Sequence, residues 1–392
     1  MANMFDYLSW RGDLPFSKCP VNPVDALILS TIAYTQFGGL ITDDPLHPVF
    51  LHKAVEAFFA LPEPEQKIRV KRDLDLLLAV AESPRFRNVG LCFYRDEFLP
   101  EEESQFAAMT FLLDDGSAFL AFRGTDYSLA GWKEDFNMSF LETVPAQRKA
   151  VIYAEEFCEH FGGRVYFGGH SKGGNLAVFA AAKSSPEIRS RIRTVYNLDG
   201  PGFGQHMMGD PGYLAVVPKI ETYIPQSSII GMLLEHEEPY TVIRSRQVGI
   251  LQHDPYSWDL MADRFLEAAD LTPDNKFLDR TIKNWLAGMT SEQRSEFVDT
   301  VYELLSTGGA KTTFHLLRPQ NIRSVIRTLN NDDNVRRLLA TELAGLIQSA
   351  RAAQQEMTAP KQPLPEPEDE SPSTGPTASI KGALFATVRL IS

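Results

Sequence analysis

Apolar residues recur along this chain at two periods, and the switches between them locate the elements. Between residues 23 and 37, Val24, Ala26, Leu27, Leu29, Ile32 and Ala33 fall at helical spacing. Two further helical stretches are predicted over 47–60 and 74–82. The segment NVGLCFYRDEF (88–98) predicts a strand. QFAAMTFLLDDGSAFLAFRG (105–124) predicts a hairpin, because its arms alternate apolar and small residues about Asp114-Asp115-Gly116, a strong turn signal.

Beyond Gly124 helices alternate with strands. A helix is predicted over 147–161, with Val151, Ala154, Phe157 and Cys158 on one face. A strand follows over 164–167, a helix over 172–183, a strand over 194–198, and two more strands over 220–224 and 241–245. Strands separated by helices imply βαβ units and a mainly parallel central sheet, hence an α/β fold. From 260 to 355 the pattern is helical throughout. Ser291, with Glu292 and Gln293 behind it, starts one helix, and Gly308-Gly309 ends it. From 358 to 377 the composition turns to Pro, Glu, Ser and Thr, which buries too little apolar surface to offset its ordering entropy and predicts disorder. The expected organisation is an α/β domain with an N-terminal helical segment over 1–259, an α-helical region over 260–355, and a linker and tail over 356–392.

The candidate chemistry lies where a predicted strand meets a predicted helix, in VYFGGHSKGGNLAVFA (165–180). Gly169-His170-Ser171-Lys172-Gly173 matches G-x-S-x-G in the strand–turn–helix context that pattern requires. So tight a turn projects the serine hydroxyl above the carboxyl edge of the sheet. Side chains two positions either side would collide, so glycine stands at both. The helix N-terminus offers free N–H groups and its positive dipole end to a developing oxyanion. The plainer role for Ser171 is a helix cap. The same glycines do not make a phosphate loop, because the G-x-x-x-x-G-K-[ST] spacing is missing.

A serine hydroxyl needs a base beside it. Four histidines follow Ser171: His206, His236, His253 and His315. His253, in SRQVGILQHDPYSW, follows the last predicted strand, where a triad histidine belongs in the chain order Ser, acid, His. His206 and His236 lie in Met-rich loops and His315 in the helical region. Asp199, in VYNLDGPGFG, closes the strand after the Ser171 helix and is the expected acid. A turn aspartate before Gly200-Pro201 is its plainer role. The usual place for the acid is one strand later, where YIPQSSIIGMLLEH offers Gln226, Ser227 and Ser228 but no aspartate, and Glu235 is the nearest carboxylate.

With 392 residues, 44% of them hydrophobic, the chain can bury a large core. A net charge of -13 argues against a general nucleic-acid binder and gives no electrostatic draw towards anionic lipid. Cys19, Cys92 and Cys158 are too sparse for a disulfide framework, and none has histidines at metal-ligand spacing. The opening residues lack an apolar signal core, and no run reaches the ~18 apolar residues of a membrane span. A cytoplasmic location is expected, with no transmembrane segment, no metal and no cofactor.

Two stretches resemble the class 3 lipases, the fungal-lipase-like branch of the α/β hydrolases. One is Gly169-His170-Ser171-Lys172-Gly173-Gly174, where the family typically has G-H-S-L-G-G. The other is Phe122-Arg123-Gly124-Thr125 followed by Trp132 and Asp135, where the family has F-R-G-[ST] and a trailing W-x-x-D. The first two-thirds of the chain is also similar to a bacterial lipase-like group in which SSIIGMLLEH and QHDPYSW recur. The resemblance implies the α/β-hydrolase fold, ester cleavage through Ser171, His253 and Asp199 with an acyl-enzyme, and an oxyanion hole formed by Thr125 and the Lys172 backbone N–H. Lys172 departs from the family's apolar residue, and its side chain is expected in solvent. The helical region has no counterpart in that family.

The loops over 201–217 and 228–238 flank the expected acid and base. Their Met207, Met208, Met232 and Leu233 suit an acyl pocket or a lid, although ordinary packing is the plainer role. The expected substrate is a small-molecule apolar ester or lipid, a lysophospholipid included. Two other readings stay open: a thioesterase or peptidase on the same triad, and a non-catalytic protein of the same fold that binds a protein partner through its helical region and acidic tail.

Overall fold

Asparagines start the first two helices. Asn3 caps α1 (Met4–Arg11) and Asn22 caps α2 (Pro23–Ile32); in each, an aspartate at the third helical position returns a bond to the cap N–H. The computed structural model describes residues 2–99, 104–126, 128–310, 313–316 and 318–358. After α2 come β1 (Val49–Phe50), α3 (Leu51–Phe59), α4 (Arg72–Glu82), β2 (Gly90–Leu99), β3 (Ser104–Leu112) and β4 (Ala118–Phe122). The β3–β4 turn forms as its sequence predicts, with Gly116 at φ 79° and Leu113 N–H bonded to Ser117 O. Then follow α5 (Leu129–Asn137), α6 (Pro145–His160), β5 (Val165–His170), α7 (Lys172–Lys183), α8 (Pro186–Arg191), β6 (Ile192–Leu198), α9 (Pro211–Val216), β7 (Ile220–Pro225) and β8 (Tyr240–Ile243).

The eight strands form one sheet in chain order. β1 to β4 pair antiparallel, and β4 to β8 pair parallel. Alternate residues of each strand feed opposite faces. Phe119, Tyr166 and Tyr196 pack towards α1–α4 with Leu27, Phe58 and Leu77. Leu120, Phe167 and Val195 pack towards α6 and α7 with Tyr153, Phe157 and Leu176. Covering both faces is what lets parallel strands read as continuous apolar runs. The carboxyl ends of β4 to β8 therefore share one edge, where α/β folds bind their ligands.

The expectation of helix from residue 260 onwards is corrected. β9 (Leu260–Met261) and β10 (Arg264–Phe265) form an antiparallel pair, and Leu260 N–H bonds Ala2 O. Leu260 and Phe265 are buried while Met261 and Arg264 are exposed, a period of two that a short apolar run does not distinguish from helix. Helix begins at α10 (Pro273–Ala287), capped by Thr272. It continues through α11 (Ser291–Ser306), α12 (Thr313–Leu316), α13 (Pro319–Asn331) and α14 (Asp333–Thr358). Thr290 is the cap of α11 and Ser291 its first residue, and Gly308 beyond it takes φ 77°. Met1–Met357 form one compact unit. The predicted disordered tail, beyond Thr358, lies outside the described residues.

One buried ion pair ties α2 to the segment that links α4 to β2. Arg85 and Asp25 are fully buried and meet through two bonds, Nε to Oδ1 at 2.8 Å and an Nη to Oδ2 at 2.5 Å. The remaining guanidinium N–H groups donate to the carbonyls of Leu14, Cys19 and Pro20, and Tyr7 donates to Asp25 Oδ1. Arg85→Met strands the carboxylate without its cation. It is expected to lower unfolding free energy by about 3–5 kcal/mol, read from urea denaturation; an unchanged midpoint would contradict this account.

Candidate active site

The turn from β5 to α7 places Ser171 at φ 62° and ψ -136°, a conformation that L side chains rarely adopt. Its neighbours leave no room for bulk. A Cβ on Gly169 would lie 2.2 Å from the Gly173 carbonyl, and one on Gly173 would lie 2.1 Å from Phe122 O. A Cβ on Gly124 would lie 2.6 Å from His170 O and 3.1 Å from Ser171 Cβ. The F-R-G-T segment thus passes directly against the serine. The Ser171 side chain makes no capping bond to α7.

His253 ends a 3₁₀ turn, Gly249–His253, after β8. Its Nδ1 lies 2.7 Å from Asp199 Oδ2. Asp199 is fully buried, follows β6, and takes φ 58°. Its other oxygen, Oδ1, accepts the Ser228 hydroxyl at 2.5 Å. Ser228 follows β7, so the serine found one strand late in the sequence is a partner of the carboxylate rather than a replacement for it. With Nδ1–H donating to Asp199, His253 keeps its lone pair on Nε2. Neither Nε2 of His253 nor Oγ of Ser171 has a hydrogen-bond partner among the described residues.

A second imidazole lies beneath the first. The His170 ring is buried, with its centroid 4.5 Å from that of His253. Its Nε2 lies 2.8 Å from His253 O and its Nδ1 3.1 Å from Tyr34 Oη. Burial, reinforced by the neighbouring His253, holds the His170 imidazole well below the ordinary histidine range. The neutral ring therefore donates from Nε2 to the His253 carbonyl and accepts at Nδ1 from Tyr34. Burial pushes the Tyr34 phenol up to about 12, which keeps it a donor.

Next to Gly124, the Thr125 hydroxyl lies 2.7 Å from each oxygen of Asp135 on α5. That hydroxyl is committed, so the backbone N–H of Thr125 is the group left without a partner among the described residues. Lys172 is the first residue of α7, and its N–H has no intrahelical acceptor. Desolvation pushes the Asp135 carboxyl up to about 6, outweighing the nearby Lys172 charge and the Thr125 bond. The Lys172 side chain is not in solvent as expected. It is 1% exposed, and Nζ lies 2.9 Å from Glu134 Oε2 and 2.9 Å from Gln105 O. The reason is that α5 delivers Glu134 beneath the elbow.

The remaining predicted residues separate. Met232 and Leu233 line a cavity of about 450 Å³ with Met138, Phe203, Leu286 and Arg294, where the loops after β6 and β7 face α10 and α11. Met207 is buried in the core with α7, and Met208 packs against that core. His206 lines the cavity. His236 bonds Gly231 O, Glu235 pairs with Lys283, and His315 lies on α12. The sequence reading missed His170, Tyr34, Ser228, Gln105 and Glu134 as parts of the site. His170, Glu134 and Ser228 stood inside stretches singled out for their chemistry, while Tyr34 and Gln105 stood in a predicted helix and a predicted hairpin. Among the described residues no group of three or more His, Cys, Asp or Glu could hold a metal ion, and no helix is long and apolar enough to cross a membrane.

The shift of Asp135 has a signed consequence. Between pH 4 and 6 the folded protein holds a proton there that the unfolded chain releases, so this group's contribution to stability falls as pH rises through that window. Asp135→Asn is expected to remove up to about 2–3 kcal/mol of that pH dependence, measured by urea unfolding at pH 4 to 7. A difference between the two proteins that does not vary with pH would refute it.

Part of the chain is similar to solved lipases. The Rhizomucor miehei lipase propeptide complex shares 17% identity over 40% of this chain and 57% of that one, with a TM-score of 0.31. A deletion mutant of the same complex shares 14% over 46% and 68%, at 0.34. M37 lipase shares 13% over 54% and 70%, at 0.36. The chain thus spans 57% of the native Rhizomucor complex chain it matches. No curated protein matches the chain. The Mbeg1-like family model matches residues 80–303, more than half of the 392, a span that contains Thr125, Ser171, Asp199 and His253. The chain belongs to the Mbeg1-like family.

Proposed function

We propose that this protein is a lipase-like serine hydrolase that cleaves carboxylic esters through Ser171, His253 and Asp199. The observation that carries the reading is the pairing of a buried carboxylate with His253 Nδ1 at 2.7 Å, at the same sheet edge as a serine in an elbow conformation. In this mechanism His253 Nε2 takes the Ser171 proton as Oγ attacks the ester carbonyl. The oxyanion that forms is met by the N–H groups of Thr125 and Lys172. The imidazolium then returns its proton to the departing alkoxide, leaving an acyl-enzyme. Water, activated by His253, releases the acid. Asp199 holds the imidazole in the tautomer this sequence needs, and Ser228 donates a hydrogen bond to its second oxygen. The catalytic domain is taken to run through β10, because Leu260 and Phe265 belong to its core, with the helices from α10 onwards an appended region.

An apolar ester or lipid substrate is favoured by the cavity wall of Met138, Phe203, Met232 and Leu233, which continues from the loop that follows Asp199. The wild-type protein is expected to turn over short or medium p-nitrophenyl esters and to be labelled by a fluorophosphonate. Ser171→Ala is expected to lose both with its circular dichroism unchanged. Asp199→Asn is expected to lower kcat by about 10³–10⁴-fold. A wild-type protein that is neither labelled nor active on ester, thioester or amide substrates would overturn the reading in favour of a non-catalytic protein.

A further inference from the structure

Lys172 and Glu134 form an ion pair that is 1% and 0% exposed, with Nζ 2.9 Å from Oε2. Nothing in the ester chemistry needs a charge at either side chain, yet the pair is fully bonded. Lys172 Nζ also reaches Gln105 O at 2.9 Å and Gln105 Oε1 at 3.5 Å. Glu134 Oε2 accepts the Gln105 N–H at 3.1 Å, and Oε1 accepts the Ala146 N–H at 2.9 Å. Four elements are thereby tied at one point: the first residue of α7, the middle of α5, the start of β3 and the start of α6. Gln105 Oε1 in turn accepts the N–H of Asp126, the neighbour of Thr125, at 3.3 Å. Glu134 is adjacent to Asp135, which holds the Thr125 hydroxyl.

We propose that Lys172 and Glu134 are a positioning pair that sets the Thr125 and Lys172 N–H groups in register as oxyanion donors. This inference rests on the hydrolase reading above. Two packed apolar side chains would join α7 to α5 at least as stably as a buried ion pair. What the charges add is direction: Nζ and Oε2 meet along defined lines, and each is tied by a further bond to Gln105 on β3. Lys172 carries one donor on its own backbone. Glu134 reaches the other through the next residue of its helix and through Gln105. Oxyanion stabilisation depends on donors fixed before charge develops, and a displacement of about 1 Å is enough to cost roughly 100-fold.

The test compares Lys172→Met, Glu134→Leu and the double variant, each assayed below its own unfolding midpoint. Each single variant is expected to lose about 100-fold in kcat with KM unchanged. Affinity for a trifluoromethyl ketone, whose serine adduct places an oxyanion in the hole, is expected to fall in parallel. The double variant is expected to regain part of the lost unfolding midpoint, because no buried charge is left unpaired although the Gln105 and Ala146 N–H groups lose their acceptor, but not kcat or ketone affinity. Recovery of kcat together with stability would reduce the pair to a structural role and overturn the inference. So would single variants that keep wild-type kcat, and in that case the hydrolase reading stands. If a single variant does not fold, the apolar double variant decides alone. An inactive, unlabelled wild type removes the hydrolase reading and this inference with it.

Discussion

The positive-φ backbone at Ser171 is the constraint on which the rest of the site depends. That conformation costs on the order of 1–3 kcal/mol and persists only where its surroundings hold it. Here the surroundings are backbone at Gly169 and Gly173, and backbone together with the Tyr34 hydroxyl at Gly124. Phe122 O presses on Gly173, the Gly173 carbonyl presses on Gly169, and Gly124 lies against His170 O. The three glycines are the condition for β4, β5 and α7 to converge at one point. Convergence aims the serine out of the sheet edge, brings Thr125 beside it, and leaves the Lys172 N–H without a partner among the described residues at a helix start.

Around that point the polar groups are arranged so that each buried charge has a named partner. Asp199 is met by His253 on one oxygen and Ser228 on the other. Glu134 is met by Lys172 and by two backbone N–H groups. Asp135 is met, among the described residues, by the Thr125 hydroxyl, and burial pushes its carboxyl up to about 6. The cause is desolvation: a carboxyl taken out of water with a single hydroxyl donor holds its charge poorly. His170 obeys the same rule with the opposite sign, since a buried imidazole with no anionic partner stays neutral. Its neutrality is what lets one nitrogen donate to His253 O while the other accepts from Tyr34.

Much of this was legible in the chain. The strand–turn–helix around Gly169 to Gly173 carries its own explanation, because only glycine tolerates the approach. The βαβ alternation specifies a parallel sheet, and the Asp114-Asp115-Gly116 turn specifies the hairpin that precedes it. The stretch from 260 to 272 was misread because four strand residues alternate over too short a run for periodicity to separate them from helix. Lys172 was misread because a charged side chain at a helix start is ordinarily solvated; nothing local announces that α5, some 40 residues earlier, will bring Glu134 beneath it.

The sequence by itself determined the strongly periodic strands and helices of the sheet layers, their order and the backbone character of the elbow, since these depend on local conformation and on periods of two and 3.6 residues. Which side chains meet was decided by tertiary structure alone. Asp199 and His253 are 54 residues apart, Ser228 and Asp199 are 29 apart, and Lys172 and Glu134 are 38 apart. Composition and spacing do not encode those separations in space. They arise because parallel strands in one sheet bring their carboxyl ends to a common edge, and because burial at that edge requires every charge to find a partner there.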